Sequence, residues 1–242
     1  MSQVKEISPP IRELVFSNEE LRVLEHKLDS GADYLHLEFD IKKRSALLDY
    51  LALFHKWNKT YNLSAVRDPQ EMLVKHLLDS LSVVVKIAAY VEKNPTHIRF
   101  IDVGTGGGLP GIPLAIILPQ LSLHLLDSAG KKTRFLFQVK QSLSLSNVEI
   151  LNMRVESYKP EQVFHGVLSR AFASLDDMTR WCDHLLANDG LFWAMKGVFP
   201  QDELRQIEKH YKVDDYQKLS VPGLEGERCL IRLSRQTVKL EQ

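Results

Sequence analysis

A glycine-rich turn between two apolar segments constrains the fold of this chain more than any other feature. Residues 99–111 read RFIDVGTGGGLPG, and residues 123–128 read LHLLDS. We interpret this order as a strand, a tight turn, a short helix and a second strand that ends in a carboxylate, Asp127. Such a unit forms a ligand crevice at the carboxyl ends of parallel strands. The motif therefore predicts an α/β domain with a nucleotide-shaped pocket.

The residue types around this turn indicate which ligand the pocket binds. Gly104, Gly106 and Gly108 let the backbone adopt positive φ and approach a ligand closely. Asp127 is placed to accept hydrogen bonds from ribose hydroxyls. Asp102 would repel a pyrophosphate, but it suits a ligand that carries an ammonium and a sulfonium group. We therefore favour S-adenosylmethionine over NAD as the cofactor, although the glycines also match the dinucleotide pattern G-x-G-x-x-G.

Downstream of the turn, apolar segments alternate with helical patterns. We predict strands at 98–103, 121–126, 148–151, 165–169 and 190–195, and helices at 110–118, 131–143, 174–187 and 201–210. This alternation is typical of a parallel sheet with helices on both faces. The last two strands, 213–220 and 228–233, are too close for a helical crossover and are predicted to be antiparallel. The expected fold is therefore the Rossmann-like class I methyltransferase fold, with a seven-stranded, mostly parallel sheet and an antiparallel terminal hairpin.

The first part of the chain has helical patterns without strands. Three helices are predicted, one from the capping box at Ser17 to Gly31, one from Asp40 to about His55, and one that begins at the cap Asp68. Residues 1–16 show no periodicity, and we expect them to be poorly ordered. We therefore predict an N-terminal extension and helical appendage over residues 1–97, packed against a cofactor-binding catalytic domain over residues 98–242.

Composition argues against several classes of protein. The chain has no apolar run long enough to span a membrane, and its N-terminus lacks the apolar core of a signal peptide. Cys182 and Cys229 are far apart and have no metal-ligand spacing. We therefore expect a cytoplasmic protein with two free thiols, no metal site and no membrane partner. Because no large apolar seam is evident, we expect a monomer.

Positive charge is unevenly distributed, although 31 basic side chains balance 31 acidic ones. Lys131, Lys132 and Arg134 belong to a stretch without acidic residues, and a second basic region contains Lys59 and Arg67. Basic surfaces beside a cofactor pocket suit a polyanion such as RNA, because phosphate contacts supply most sequence-independent affinity. We predict these five residues as RNA contacts. Solvated helix faces without a partner are the alternative.

Aromatic and polar side chains of the helical region have two interpretations each. Trp57 and Tyr61 can stack a base flipped from an RNA loop, or they can seat the helices on the catalytic domain, which we favour from the sequence. Asn58, between them, is predicted as a further RNA contact. His76 and Asp79, three residues apart, are expected to form a hydrogen-bonded pair on one helix rather than a metal site.

Several motifs occur together along the chain. They are FHKWNKTYNL at 54–63, VRDP at 66–69, EMLVKHLLDS at 71–80, FIDVGTG at 100–106, GLPGIP at 108–113, LLDS at 125–128, SRAFAS at 169–174 and EGER at 225–228. Over about residues 40–232 this set resembles the bacterial small-subunit ribosomal RNA guanine-N7 methyltransferases, also called glucose-inhibited division protein B. The resemblance implies S-adenosylmethionine as methyl donor. It implies a guanine in the helix 18 loop of 16S rRNA as acceptor, in the small ribosomal subunit or an assembly intermediate.

The resemblance also implies roles for particular residues. Carried over by position, Gly104 and Leu109 would contact the cofactor, Val155 and Glu156 would lie near the adenine, Arg170 near the methyl end, and Asp127 at the ribose. Together with the turn itself, the predicted cofactor contacts are Asp102, Gly104, Gly106, Gly108, Leu109, Asp127, Ser128, Val155, Glu156 and Arg170. Two positions depart from the family pattern. Gly107 replaces a common proline and is expected to loosen the turn, and His165 replaces an acidic residue that is common before the fourth strand.

The implied chemistry needs positioning rather than proton removal. Guanine N7 already presents a lone pair, so that its methylation requires no general base, and the reactants must be held in line. Arginine or lysine pairs readily with the N7 and O6 edge. We predict Arg170 and Lys196, at the ends of the fourth and fifth strands, as the catalytic residues. Either can instead hold the methionine carboxylate, and Arg170 can instead pair structurally with Asp102 or Glu156.

Two functions of other classes remain open from the sequence. An NAD(P)-dependent oxidoreductase would need a substrate domain, and the residues after Asp127 are already occupied by the predicted sheet. A ribosome assembly factor could retain the cofactor fold without performing chemistry.

Overall fold

A seven-stranded sheet forms the centre of this computed structural model. The structure describes residues 9–94, 97–170, 172 and 174–236. Its strands are β1 (Arg99–Val103), β2 (Ser122–Leu126), β3 (Val148–Leu151), β4 (Phe164–Ser169), β5 (Leu186–Lys196), β6 (Tyr211–Leu219) and β7 (Arg228–Arg235), in the order β3-β2-β1-β4-β5-β7-β6. Strands β1 to β5 pair in parallel, whereas β7 runs antiparallel to both β5 and β6. The predicted class I fold and its terminal hairpin are confirmed.

Helices cover both faces of the sheet. They are α1 (Ile11–Val15), α2 (Asn18–Tyr34), α3 (Ile41–Tyr61), α4 (Pro69–Met72), α5 (Asp79–Leu81), α6 (Val84–Lys93), α7 (Gly111–Ile117), α8 (Gly130–Ser142), α9 (Leu175–Cys182) and α10 (Gln201–Ile207). A π-helical segment, Leu73–Leu78, joins α4 to α5, and 3₁₀ turns occupy Val155–Ser157 and Asp183–Leu185. The predicted helix 174–187 was too long, because β5 already begins at Leu186.

The N-terminal helices begin at the predicted caps but do not all end where predicted. The Ser17 hydroxyl accepts from the Glu20 N–H at 3.3 Å, and the Glu20 carboxylate accepts from the Ser17 N–H at 2.8 Å. Helix α2 then continues past Gly31, because this glycine is a packing contact: a Cβ there would lie 2.6 Å from a methyl group of Leu78. Helix α3 extends to Tyr61 and ends at a residue with positive φ.

The expectation of poor order before residue 17 was wrong for residues 9–16; residues 1–8 lie outside the described residues. Helix α1 is anchored by an ion pair between Arg12 and Asp49 at 3.0 Å, and Phe16 is buried. The short helix has too few residues to show an apolar period, so that only its contacts with α3 reveal it.

One hydrophobic core joins the N-terminal helices to a face of the sheet. Buried side chains of α2 and α3, such as Leu24 and Leu48, belong to the same cluster as Ile112 of α7 and Leu123 of β2. A second cluster lies between the opposite face and helices α9 and α10. The helical region and the α/β region therefore bury apolar surface in common, which brings α3 close to the glycine-rich turn.

Three further findings concern the described part of the chain. None of its helices is both long and apolar enough to cross a membrane. It contains no group of three His, Cys, Asp or Glu side chains arranged to hold a metal ion. Cys182 and Cys229 are buried free thiols in this structure.

Candidate active site

The glycine-rich turn follows β1, and its glycines serve two purposes. Gly104 has a φ of 70°, and no heavy atom lies within 4 Å of the position that its Cβ would occupy, so that its backbone borders open space. Gly108 has a φ of 88° and is packed: a Cβ would lie 2.4 Å from Ile112 and 2.8 Å from Leu136. The turn therefore opens toward a ligand at its start and packs tightly at its end.

Gly107 lies in the same turn, against helix α3. A Cβ at this position would lie 2.4 Å from the Phe54 ring, and the Gly107 carbonyl accepts a hydrogen bond from the Tyr50 hydroxyl at 2.7 Å. The missing side chain lets α3 pack onto the backbone of the turn, and the expectation that glycine here loosens the turn stays a prediction.

Asp102 is buried beneath the turn. Its Oδ2 accepts from the Thr105 hydroxyl at 2.7 Å and from the Gly111 N–H at 3.0 Å, whereas Oδ1 has no hydrogen-bond partner among the described residues. Burial raises the pKa of Asp102 to about 7, against the opposing effect of these two hydrogen bonds. A cationic group beside Oδ1 would favour the ionised form, so the site suits the ammonium group that the sequence suggested.

Asp127 ends β2 and connects it to the turn. Its Oδ1 accepts from the Ala129 N–H at 2.8 Å, and its Oδ2 accepts from the Gly106 N–H at 3.0 Å. The Lys132 ammonium lies 3.2 Å from the same Oδ2. Lys132 therefore pairs with a carboxylate beside the turn, and its role as an RNA contact stays a prediction.

A cavity of about 350 Å³ opens beside Gly104 and Asp127. It is lined by Val103, Gly104, Leu126, Asp127, Ser128, Lys132, Met153, Arg154, Val155, Glu156, Phe172 and Trp181. Five predicted cofactor residues therefore come together here. Gly108 and Leu109 are not among the lining residues, and their N–H groups donate to the Thr105 carbonyl, so that they shape the turn.

An apolar wall of this cavity was missed in the sequence. Met153 and Trp181 each keep 38% of their surface exposed, and the Phe172 and Trp181 rings meet edge to face at 5.7 Å. Exposed apolar side chains in a pocket suit a flat aromatic ligand. Trp181 lies on α9, far from the glycine motif in sequence, where an aromatic residue suggests only core packing.

A second cavity, of about 540 Å³, lies at the carboxyl ends of β4 and β5. It is lined by Val66, Lys75, His76, Asp79, Arg170, Met195, Lys196, Gly197, Leu219, Leu224, Glu225, Arg228 and Cys229. The two predicted catalytic residues thus share one cavity. Strands β1 and β4 are adjacent, and the Ser169 hydroxyl donates to the Val103 carbonyl at 3.0 Å. The two cavities therefore lie at the ends of neighbouring strands.

Arg170 is held by a buried carboxylate of the helical region. Its Nη1 lies 3.1 Å from Oδ2 of Asp79, and Nε of Arg228 lies 3.3 Å from Oδ1. Asp79 is 4% exposed, whereas the two arginines keep 24% and 33% of their side chains exposed. Arg170 therefore pairs with neither Asp102 nor Glu156, the two structural partners that the sequence offered as alternatives. We call Arg170, Asp79 and Arg228 together the arginine clamp.

His76 does not pair with Asp79, contrary to the prediction. Its Nε2 forms a hydrogen bond with the Ser64 hydroxyl at 2.7 Å. Burial, with a smaller contribution from the positive charge of Arg170, lowers the pKa of His76 to about 4. The imidazole is therefore neutral near pH 7 and adds no charge to the cavity.

The π-helical segment between α4 and α5 forms one side of the second cavity. Lys75 and His76 lie within it and Asp79 follows it directly, and all three line the second cavity. Wide π turns occur frequently at functional sites. The apolar stripe of this region predicted only a regular helix, which is why the sequence did not place Asp79 beside Arg170.

Lys196 is also engaged by a carboxylate. Its ammonium lies 2.8 Å from Glu203, whose Oε2 additionally accepts from the Leu175 N–H at 2.6 Å. The Lys196 side chain is 13% exposed. Arg170 therefore presents more of its surface to the cavity than Lys196 does.

Comparison with known proteins decides the family. A family model described as rRNA small subunit methyltransferase G matches residues 43–231. The chain belongs to this family. A ribosomal RNA small subunit methyltransferase G of Saccharophagus degradans is 56% identical over 208 residues, which cover 86% of this chain and 90% of that protein. One of Pseudomonas aeruginosa strain LESB58 is 49% identical over 216 residues, which cover 88% and 98%.

Solved structures support the fold independently. The N-methyltransferase NodS from Bradyrhizobium japonicum, in complex with S-adenosyl-L-homocysteine, matches with a TM-score of 0.53 at 10% identity over 76% of this chain and 99% of that chain. The glycopeptide N-methyltransferase MtfA matches with a TM-score of 0.52 at 7% identity over 63% and 87%. The family assignment confirms the predicted cofactor, S-adenosylmethionine, and removes the oxidoreductase alternative.

The apolar wall gives a first prediction for this methyltransferase. We expect Trp181→Ala to weaken binding of S-adenosylhomocysteine by roughly tenfold, because an aromatic contact contributes about 1–2 kcal/mol with its buried area. Isothermal titration calorimetry measures the affinity. Tyr216→Ala, which removes a similarly exposed aromatic ring outside the cavity, serves as control. Unchanged affinity in Trp181→Ala would show that the wall does not contact the cofactor.

The predicted RNA contacts fall into two groups. The Lys131 ammonium donates a hydrogen bond to the Tyr61 carbonyl at 3.2 Å, and the Arg67 guanidinium donates to the Asn58 carbonyl at 2.6 Å. The two basic regions therefore meet where α3 ends. Lys59 and Arg134 are exposed. In contrast, Asn58 is 1% exposed.

The prediction of Asn58 as an RNA contact was therefore wrong. Its Nδ2 donates to the Val66 carbonyl and its Oδ1 accepts from the Ser64 N–H, both at 2.7 Å. With both amide groups used inside the protein, Asn58 holds the connection between α3 and α4.

Proposed function

We propose that this protein transfers a methyl group from S-adenosylmethionine to N7 of a guanine in the helix 18 loop of 16S rRNA. The observation that carries the proposal is the arginine clamp in a cavity beside the cofactor cavity. The family membership and the names of its relatives support small-subunit rRNA as the acceptor. The motif resemblance supports the guanine, its position, and the small subunit or an assembly intermediate as the form in which the RNA is bound.

The residues of the first cavity fit the cofactor. Gly104 leaves room for close approach, and Asp127 supplies carboxylate oxygens for ribose hydroxyls, in competition with Lys132. Asp102 does not line this cavity; it is fully buried beneath the turn, and its Oδ1, which has no hydrogen-bond partner among the described residues, would suit an ammonium group only if the cofactor reached it. Val155 and Glu156, with the apolar wall, would hold the adenine. When bound, S-adenosylmethionine supplies a methyl group on a sulfonium that is already activated for transfer.

The residues of the second cavity position the acceptor. Arg170 uses one nitrogen for Asp79 and retains further donors for the O6 and N7 edge of a guanine. Asp79 balances part of the positive charge of the two arginines, which matters because the guanine becomes cationic on methylation. Lys196, held by Glu203, would contact the RNA backbone or the methionine carboxylate. None of these groups needs to remove a proton.

The absence of a general base predicts a flat pH profile for the chemical step. At saturating cofactor and RNA, we expect the single-turnover rate to change less than about threefold between about pH 6.5 and 8.5. Saturation separates the chemical step from the ionisation of Asp102, whose pKa is raised by burial to about 7 and which would influence cofactor binding. A tenfold rise per pH unit would instead require a base that loses its proton in this range.

The proposed function is tested by methyl transfer with labelled S-adenosylmethionine to small ribosomal subunits from a strain that lacks this protein. We expect label at guanine N7 in the helix 18 loop, identified by mapping the modified base. Arg170→Ala should abolish incorporation, whereas Arg205→Ala, which removes an exposed arginine of α10, should not. Cofactor binding without incorporation would favour an assembly factor without catalytic activity.

A further inference from the structure

The end of α3 carries a stacked aromatic pair. The Trp57 and Tyr61 rings, one helical turn apart, have centroids 4.9 Å apart and planes inclined by 29°. On its other side Trp57 meets the fully buried Phe135 at 5.6 Å. Tyr61 remains 42% exposed, and its hydroxyl has no hydrogen-bond partner among the described residues. Trp57 thus packs α3 against α8. Tyr61 lies outside the core, with one face of its ring against Trp57.

Two cationic side chains, Lys131 and Arg67, border Tyr61, and a third, Arg134, follows Lys131 by three residues on α8. Lys131 donates to the Tyr61 carbonyl, and Arg67 donates to the Asn58 carbonyl and to the Asn62 side chain. Arg134 donates from Nε to the Gly130 carbonyl at 3.2 Å. Because all these acceptors are neutral oxygens, none of these contacts is an ion pair with a carboxylate, and the three side chains retain donors for a phosphate.

Helices α3 and α8, which carry Tyr61 and Lys131, also lie beside the glycine-rich turn and Asp127. Helix α3 contacts the glycine-rich turn through the Tyr50 hydroxyl and the Phe54 ring, and α8 begins shortly after Asp127. A ligand bound at the end of α3 therefore lies on elements whose other contacts shape the cofactor cavity. This continuity connects the aromatic pair to the reaction.

We infer that Tyr61, supported by Trp57, is a stacking platform for an unpaired base of the RNA, with Arg67, Lys131 and Arg134 binding the adjoining phosphates. The inference rests on the proposed function and adds that the substrate must be single-stranded at a nucleotide near the target. Proteins bind single-stranded nucleic acid with an aromatic ring that stacks on a base and with cationic side chains beside it that contact the phosphates. Bases inside a duplex are already stacked on their neighbours and cannot use it.

The test compares Tyr61→Leu, Tyr61→Phe and the control Tyr34→Leu, which removes an exposed tyrosine at the end of α2. Fluorescence anisotropy measures binding of a labelled single-stranded RNA with the helix 18 loop sequence and of a matched duplex. Methyl transfer to unmethylated small subunits gives KM and kcat. Calorimetry with S-adenosylhomocysteine and thermal denaturation report the cofactor site and the fold.

We expect Tyr61→Leu to weaken single-strand binding and to raise KM by roughly tenfold. Tyr61→Phe and Tyr34→Leu should stay near the wild type, and cofactor affinity and Tm should not change. Single-strand affinity of Tyr61→Leu within twofold of the wild type would overturn the inference, as would a parallel loss of cofactor affinity, which would indicate a structural role. If the wild type binds the RNA but transfers no methyl group, the proposed function fails while the binding comparison still decides the platform.

Discussion

Replacing Asp79 with alanine is expected to lower the single-turnover rate of methyl transfer by about 10²-fold. The carboxylate is the shared partner of Arg170 and Arg228, at 3.1 and 3.3 Å, and its loss frees both side chains to repel each other and move. A displacement of about 1 Å at a reacting group costs roughly this factor. Because Asp79 touches no predicted cofactor residue other than Arg170, we expect the affinity for S-adenosylhomocysteine to change little.

This experiment separates positioning from stability. Breaking a fully buried pair costs about 3–5 kcal/mol, and here the partially exposed arginines reduce this to about 1–3 kcal/mol of unfolding free energy. Rates are therefore measured well below the Tm of the variant. Asp79→Asn should recover part of the rate because its amide oxygen still accepts a hydrogen bond from one of the two arginines, whereas its NH2 group does not accept from the other. Asp202→Ala, which removes an exposed carboxylate paired with Arg205 on α10, is the control. A rate of Asp79→Ala equal to that of the wild type would refute the positioning role.

Gly107→Ala is expected to lower the free energy of unfolding by about 1–3 kcal/mol, the usual cost of inserting a methyl group into a packed core. The added Cβ would lie 2.4 Å from the Phe54 ring. This ring is buried among Phe135, His76 and Tyr50 and has little room to move. Urea denaturation measures the change.

A double-mutant cycle with Phe54→Leu tests the cause. The smaller side chain makes room for the methyl group, so that Gly107→Ala should cost at least about 1 kcal/mol less in the Phe54→Leu background. Gly130→Ala is the matched control, because its Cβ would have only an ordinary contact, 3.6 Å from Asn152. Additive effects of the two substitutions would show that the close approach of α3 to the turn does not cause the destabilisation.

Local patterns in the sequence determined most of the fold. The order of strands and helices after residue 98 followed from apolar periodicity, and the short connection before β7 predicted the antiparallel hairpin. Caps at Ser17, Asp40 and Asp68 predicted helix starts, because a cap acts on N–H groups within the next turn. Helix ends were predicted less well, since Gly31 continues its helix when Leu78 packs against it.

The cofactor pocket was also largely determined by sequence, because Gly104 and Asp127 belong to one continuous strand–turn–helix–strand unit. The partners of charged side chains were not. Arg170 pairs with Asp79, 91 residues away, and Lys132 pairs with Asp127. Asn58 is buried although its neighbours are exposed. Periodicity and caps act over a few residues, whereas the choice of an ionic partner depends on distances between segments that only the packed tertiary structure establishes.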